Sequence, residues 1–397
     1  MIELDVKQKV DQIAECIFDR VQKQEGDFFG LYSGEFGQLL FLLYYTRYSQ
    51  SKKHALMTDQ YSEKLLQRFV DNEKAHTFCS GFSGILYLFE FLRENDFVDF
   101  DVSGVQQLLD DYLVLRMRQD IHQKHYDFMH GALGVGLYFL KRKRYPEHIQ
   151  ELIDFLYDTA IKENSNQIFK WEYCIDPEND IIGYNLSLSH GISSIIIFLT
   201  RVIKSGLSAS EKVFEILNGA VNFLISQQRD NSPKDFYFPH YILKKKSDVV
   251  SVSRLAWCYG DLEIGIALWQ AGKTTGKIEW KEKGLEILLH ATQRRSIVDN
   301  NVEDAGVCHG SSGIALIFRR MFCETKLDEF KEAILFWLNQ TLKFSNFNDG
   351  LAGYKAAEIG GWRCDYFLLT GISGIGLVLI SFLINEQQEW DEILLLS

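Results

Sequence analysis

Seven times along this chain a small or polar residue and a glycine are followed by two residues, usually a second glycine, and then an apolar run. The copies are YSGEFGQLLFLLYY from Tyr32, CSGFSGILYLF from Cys79, MHGALGVGLYFL from Met129, SHGISSIIIFL from Ser189, CYGDLEIGIALW from Cys258, CHGSSGIALIF from Cys308 and LTGISGIGLVLI from Leu369. Their leading glycines are Gly34, Gly81, Gly131, Gly191, Gly260, Gly310 and Gly371, and subtraction of successive positions gives intervals of 47, 50, 60, 69, 50 and 61 residues. Recurrence on this scale marks a repeat architecture in which each unit is one supersecondary element.

The run after each glycine is apolar on nearly all sides, which predicts a helix buried all round. The segments between the runs are different. Val6, Val10, Ile13, Ile17 and Val21 step by four, three, four and four among charged residues, and Val213, Leu217, Val221 and Leu224 repeat the pattern. These read as amphipathic helices with one face on a core. Seven buried helices alternating with seven amphipathic ones predict an all-α (α/α)7 toroid of seven inner and seven outer helices. Residues 1–397 then form one domain, although the length alone allows two or three. The chain has 29 glycines and only 4 prolines, as long uninterrupted helices with glycine at their ends require.

If all inner helices point the same way, their N-termini gather at one mouth, where partial positive charge favours anions and thiolates. Superposed repeats place Ser33, Ser80, His130, His190, Tyr259, His309 and Thr370 in one ring just before the leading glycines. One step further back stand Cys79, Cys258 and Cys308. Cys258 and the Cys308–His309 pair come from consecutive repeats, and two thiolates with one imidazole match a three-ligand catalytic zinc site with one position open. A lone cysteine is ordinarily a small buried hydrophobe. The register, not local spacing, singles these three out. Cys79 lies several repeats away and reads as structural, as do Cys16, Cys174, Cys323 and Cys364.

Composition narrows the function. Subtracting 54 acidic from 42 basic residues gives a net charge of −12, which lacks the electrostatic footprint of a nucleic-acid binder. Seven scattered cysteines without a basic, apolar leader point to a reducing compartment, hence a cytoplasmic protein or one held at the membrane face through partners. The longest apolar stretch, Phe367–Ile384, is interrupted by three glycines and three hydroxyls and reads as a buried helix, not an integral membrane span.

WCYGD at 257–261 and CHG at 308–310, together with the repeated glycine elements, resemble the lanthionine synthetase C-like family, and within it the class I lantibiotic cyclases. The likeness runs from Tyr32 to the seventh copy at Leu369. It implies an α/α toroid, one zinc per chain held at Cys258, Cys308 and His309, and an enzyme that adds a peptide cysteine thiol to a dehydrated serine or threonine, closing a lanthionine or methyllanthionine thioether ring. It also implies roles for four further residues. His190 resembles the family histidine that stabilises or protonates the enolate, with a helix-start cap as its alternative. Asp127 resembles the aspartate that orients or deprotonates at the site, or else caps a helix. Arg254 resembles an arginine near the site, or else is salt-bridged structure. Tyr259 contacts substrate, orients a ligand, or simply packs. His130 shares the register without a motif match. The second glycine is replaced by Ser194 in the fourth copy and by Glu263 in the fifth.

The stretches 163–189, 229–253 and 346–362 read as irregular and as candidate walls for a peptide, with Lys244–Lys246 as a solvated face. The expected partners are a dehydrated precursor peptide, a separate dehydratase, since no dehydratase domain precedes the first repeat, and an exporter complex. Two rival functions remain: addition of a small thiol such as glutathione to dehydrated proteins, and a non-catalytic scaffold that binds the precursor.

Overall fold

The computed structural model describes residues 2–23, 28–70, 75–97, 103–165, 167–208, 210–229, 236–245, 253–384 and 388–397. Among them are fourteen α-helices: α1 Ile2–Lys23, α2 Glu35–Ser49, α3 Lys52–Val70, α4 Phe82–Glu94, α5 Ser103–His122, α6 Ala132–Arg142, α7 Pro146–Thr159, α8 Ile192–Ser205, α9 Glu211–Ser226, α10 Asp261–Thr275, α11 Ile278–Thr292, α12 Ser311–Thr325, α13 Asp328–Lys343 and α14 Ile372–Leu383. The even-numbered helices are the seven that follow the glycines. They are buried along almost their whole length, whereas α1, α7, α9, α11 and α13 bury one face. Val6, Val10, Ile13 and Ile17 form that face on α1, and Val213, Leu217, Val221 and Leu224 on α9.

By compactness the chain divides into two units. The first comprises Met1–Ala75, Cys79–Ile85 and Ile297–Ser397, and the second His76–Phe78 and Leu86–Ser296. In the first unit α2 packs on α3, α12 on α13, and α14 on α1, α2 and α12. In the second, α6 packs on α5, α7 and α8, α8 on α9 and α10, and α10 on α11.

The glycines mark how adjacent copies meet. A Cβ on Gly191 would lie 2.2 Å from the Asn185 carbonyl oxygen, so the turn into α8 closes only without one. Gly260, at φ +101°, needs glycine for its backbone conformation as well. The second glycine clears both its own turn and the neighbouring copy: a Cβ would lie 2.5 Å from the Leu31 carbonyl oxygen and 2.8 Å from Leu368 at Gly37, 2.5 Å from the Phe128 carbonyl oxygen and 2.9 Å from Phe78 at Gly134, and 1.9 Å from the Leu368 carbonyl oxygen and 2.8 Å from Val307 at Gly374. Backbone bonds follow the same register, with Tyr32 N–H donating to the Cys79 carbonyl at 2.9 Å and Cys308 N–H to the Leu369 carbonyl at 2.8 Å. Seventh and first copies touch through Leu368 and Gly37 as consecutive ones do.

The long stretches between copies are more ordered than expected. Among the described residues three short antiparallel sheets occupy them: β1 Ile161–Glu163 with β2 Ile168–Lys170, β3 Tyr173–Asp176 with β4 Ile181–Asn185 and β5 Tyr241–Leu243, and β6 Ala356–Glu358 with β7 Gly361–Arg363. Strands of three to five residues are too short for alternation to show in sequence. Lys244 pairs with Glu172 at the edge of the middle sheet. Lys246 and most of 229–253 lie outside the described residues. Among the described residues no helix is long and apolar enough to cross a membrane, and Phe367–Ile384 supplies the buried α14.

Candidate active site

The residues singled out by register or by resemblance stand just ahead of inner helices. Asp127 and His130 precede α6, His190 precedes α8, Cys258 and Tyr259 precede α10, and Cys308 and His309 precede α12. Among the described residues one group of side chains can hold a metal ion: Cys258, Cys308 and His309, whose ligand atoms all lie within 4.8 Å of one another. Two thiols and an imidazole, with no carboxylate, form a soft donor set that fits zinc and leaves a fourth position for another ligand.

In the second unit an acid–base group is built on Asp127. Its Oδ1 accepts the His130 N–H at 2.9 Å, closing the turn into α6, and its Oδ2 lies 2.6 Å from His190 Nδ1. The carboxylate therefore both caps a turn and faces a histidine. Burial pushes the Asp127 carboxyl up, but the His190 hydrogen bond and charge and the His130 N–H outweigh it, so its pKa falls below the usual aspartate range and it is anionic. Burial lowers the His130 imidazole below its ordinary range, with Asp127 opposing and His190 adding. The His130 and His190 rings stack with centroids 5.7 Å apart.

Tyr173, which sequence reasoning passed over, completes this group. From β3 its hydroxyl donates to Asp127 Oδ2 at 3.3 Å, and its ring lies 6.2 Å from that of His190. Burial, with the Asp127 charge, pushes its phenol up, so it remains a donor. Only its place in a stretch read as a candidate wall for a peptide hinted at it.

Tyr259 lies with its ring 6.5 Å from His190 and 4.7 Å from His240. Burial pushes its phenol up against hydrogen bonds with Asn185, Ser187 and Ser189, so it is both packed and tied to the fourth copy. Ser189 Oγ donates to the Cys258 carbonyl at 3.3 Å, and Ser187 Oγ accepts the His190 N–H at 3.0 Å. The buried Nε of Arg254 has no hydrogen-bond partner among the described residues. Burial and the Arg254 charge push His240 down to about 4, leaving it a neutral imidazole. The two departures from the glycine pattern are accommodated differently. Ser194 turns its hydroxyl back to the Gly191 carbonyl at 2.6 Å. Glu263 is fully buried, and burial pushes its carboxyl well above the usual range, so it is protonated.

Comparison with known proteins shows the family and the fold. A model of the family described as lanthionine synthetase C-like protein matches residues 27–395. The nisin biosynthesis protein NisC of Lactococcus lactis subsp. lactis is 25% identical over 420 residues, covering 96% of this chain and 93% of the relative. The solved structure of a nisin cyclase matches with a TM-score of 0.78 at 22% identity, over 98% of this chain and 97% of that one, and shows that the fold is an α/α toroid. With its seven glycine-led copies inside the matched residues, the chain belongs to the lanthionine synthetase C-like family.

Proposed function

We propose that this chain is a zinc-dependent peptide cyclase that forms lanthionine or methyllanthionine by adding a cysteine thiol of a precursor peptide to dehydroalanine or dehydrobutyrine. The observation that carries it is the meeting of Cys258, Cys308 and His309 within 4.8 Å, from two inner-helix starts. Family membership and the relatives' printed roles, in nisin biosynthesis and as a nisin cyclase, support the same reading. That the family model spans both compact units supports reading 1–397 as one domain.

Cys258, Cys308 and His309 would hold the metal. Zinc bound there supplies Lewis acidity that lowers the pKa of the substrate thiol while two protein thiolates keep its sulfur electron-rich. In the addition a sulfur–Cβ bond forms and the C=C π bond breaks, giving an enolate that must be stabilised and then protonated at Cα. His190 is the residue for that step, with Asp127 holding its Nδ1 and thereby presenting Nε2. Tyr173 and His130 fix the Asp127–His190 pair on either side. Tyr259 orients the loop that carries Cys258, and Arg254 supplies a positive charge for the peptide or the enolate. A dehydratase must supply the unsaturated residues, and an exporter would take the product.

The full chain, incubated with a dehydrated precursor peptide and no added thiol, should close rings detectable by loss of free thiol at unchanged peptide mass. Adducts formed only when glutathione is present would replace this reading with small-thiol addition. Peptide binding without any ring formation would leave a scaffold.

A further inference from the structure

Three copies of the repeat carry an Asx residue six positions before the leading glycine: Asn185, Asp304 and Asp365. In each, Oδ1 accepts the N–H two residues on, from Ser187 at 3.0 Å, Gly306 at 2.9 Å and Phe367 at 2.7 Å. This is a recurrent Asx turn that shapes the approach to the inner helix. The second carboxylate oxygen is left for the residue just before the glycine. In the seventh copy Asp365 Oδ2 accepts the Thr370 hydroxyl at 2.6 Å. In the sixth that position is His309, and Asp304 Oδ2 lies 3.8 Å from its Nε2.

Asp304 is held more firmly than its turn requires. Its Oδ2 also accepts the Ala357 N–H at 2.9 Å, so β6 and the turn grip the carboxylate from two sides, and its side chain is 1% exposed. A carboxylate fixed beside Nε2 favours the proton on that nitrogen and leaves the Nδ1 lone pair for a metal, since the partner of one ring nitrogen decides what the other does. We propose that Asp304, which is not itself a ligand, is the positioning residue that holds His309 with Nε2 protonated and Nδ1 as its metal donor. The proposal rests on the zinc reading given above.

The test compares zinc affinity, by chelator competition, in the full-length wild type, Asp304→Asn and Asp365→Asn. Asparagine keeps an oxygen for the turn N–H and removes the charge beside the histidine. Asp304→Asn should weaken zinc binding about 10–100-fold, the usual effect of losing such a partner. Asp365→Asn alters the same turn where no ligand follows and should leave affinity unchanged. Equal weakening in both variants would assign the effect to the turn and overturn the proposal, as would wild-type affinity in Asp304→Asn. Should Asp304→Asn not fold, 15N-histidine spectra of the zinc-loaded wild type decide instead: a His309 signal, assigned by its loss in His309→Gln, must show a protonated Nε2, and metal on Nε2 overturns the proposal. A wild type that binds no zinc at all would overturn the metal reading first, and this assignment with it.

Discussion

His190 Nδ1 lies 2.6 Å from Asp127 Oδ2, joining two inner-helix starts 63 positions apart in sequence. The carboxylate is 1% exposed and the imidazole 22%, so the pair is anchored on its buried side and open on the other. That asymmetry suits a histidine that exchanges a proton with a bound peptide while its carboxylate partner never meets solvent.

His190→Asn should retain zinc and lose ring closure by about 10²–10⁴-fold, the range expected for removal of a general acid. Metal content and cyclisation rate are measured on the same preparation. A normal rate with full metal would remove His190 from the mechanism.

The depressed pKa of Asp127 gives a pH dependence with a definite sign. Its folded pKa lies below the unfolded value, because the His190 contact and the His130 N–H outweigh burial. Its contribution to stability is therefore complete above the unfolded value of about 3.9 and is lost as pH falls through the folded value. The difference in urea midpoint between wild type and Asp127→Asn should be greatest near neutrality and shrink below about pH 4. A difference that grows on acidification would contradict the assignment.

Cys258→Ala and Cys308→Ala should each abolish stoichiometric zinc, about one per chain in the wild type, because two remaining protein donors make a poor site. Elemental analysis after dialysis against a weak chelator reads this directly. Cys79→Ala is the control. Cys79 shares the register but its sulfur lies 3.7 Å from Ser33 Oγ, and zinc should be unaffected.

Arg294 Nη1 meets Asp261 Oδ2 at 2.9 Å with both side chains almost fully buried, and Asp261 also accepts the Tyr237 and Phe238 N–H groups. Arg294→Met strands that carboxylate, at a cost of about 3–5 kcal/mol. Chemical denaturation should show it, and proteolysis near residues 236–245 should accelerate. An unchanged midpoint would mean that the backbone donors alone satisfy Asp261.

Gly313→Ala would press a methyl to 1.9 Å from the Val307 carbonyl oxygen, whereas at Gly104 in α5 an added methyl meets nothing within 4 Å. The first should destabilise by at least about 1–3 kcal/mol. The second should be neutral or stabilising by up to about 1 kcal/mol. Thermal melts of the two variants separate the repeat glycines from the incidental ones.

The inner helices and their starting points were legible because each copy repeats the same steric demand: a glycine where the turn closes on itself, then a run with no polar face. Cys258, Cys308 and His309 were legible only through that register, since nothing in their local spacing marks a metal site. Tyr173 was hidden because β3 is four residues long and its one functional contact reaches 46 positions back to Asp127. Asp304 escaped notice for a different reason. Its position recurs as Asn185 and Asp365, and an Asx turn is so common in loops that only the histidine its second oxygen faces distinguishes it.

The packing of α1 on α14 has a consequence for synthesis on the ribosome. Val10, Ile13 and Ile17 of α1 are covered in the finished fold, and Ile13 comes against Gly376 of α14. From Lys23, where α1 ends, to Ile372, where α14 begins, the chain must grow by 372 − 23 = 349 residues. At a translation rate of about 5–20 residues per second that is roughly 17–70 s during which the apolar stripe of α1 waits for its principal neighbour. Helix α1 is thus made long before the helix that seats it, and its apolar stripe stays uncovered through all of that elongation.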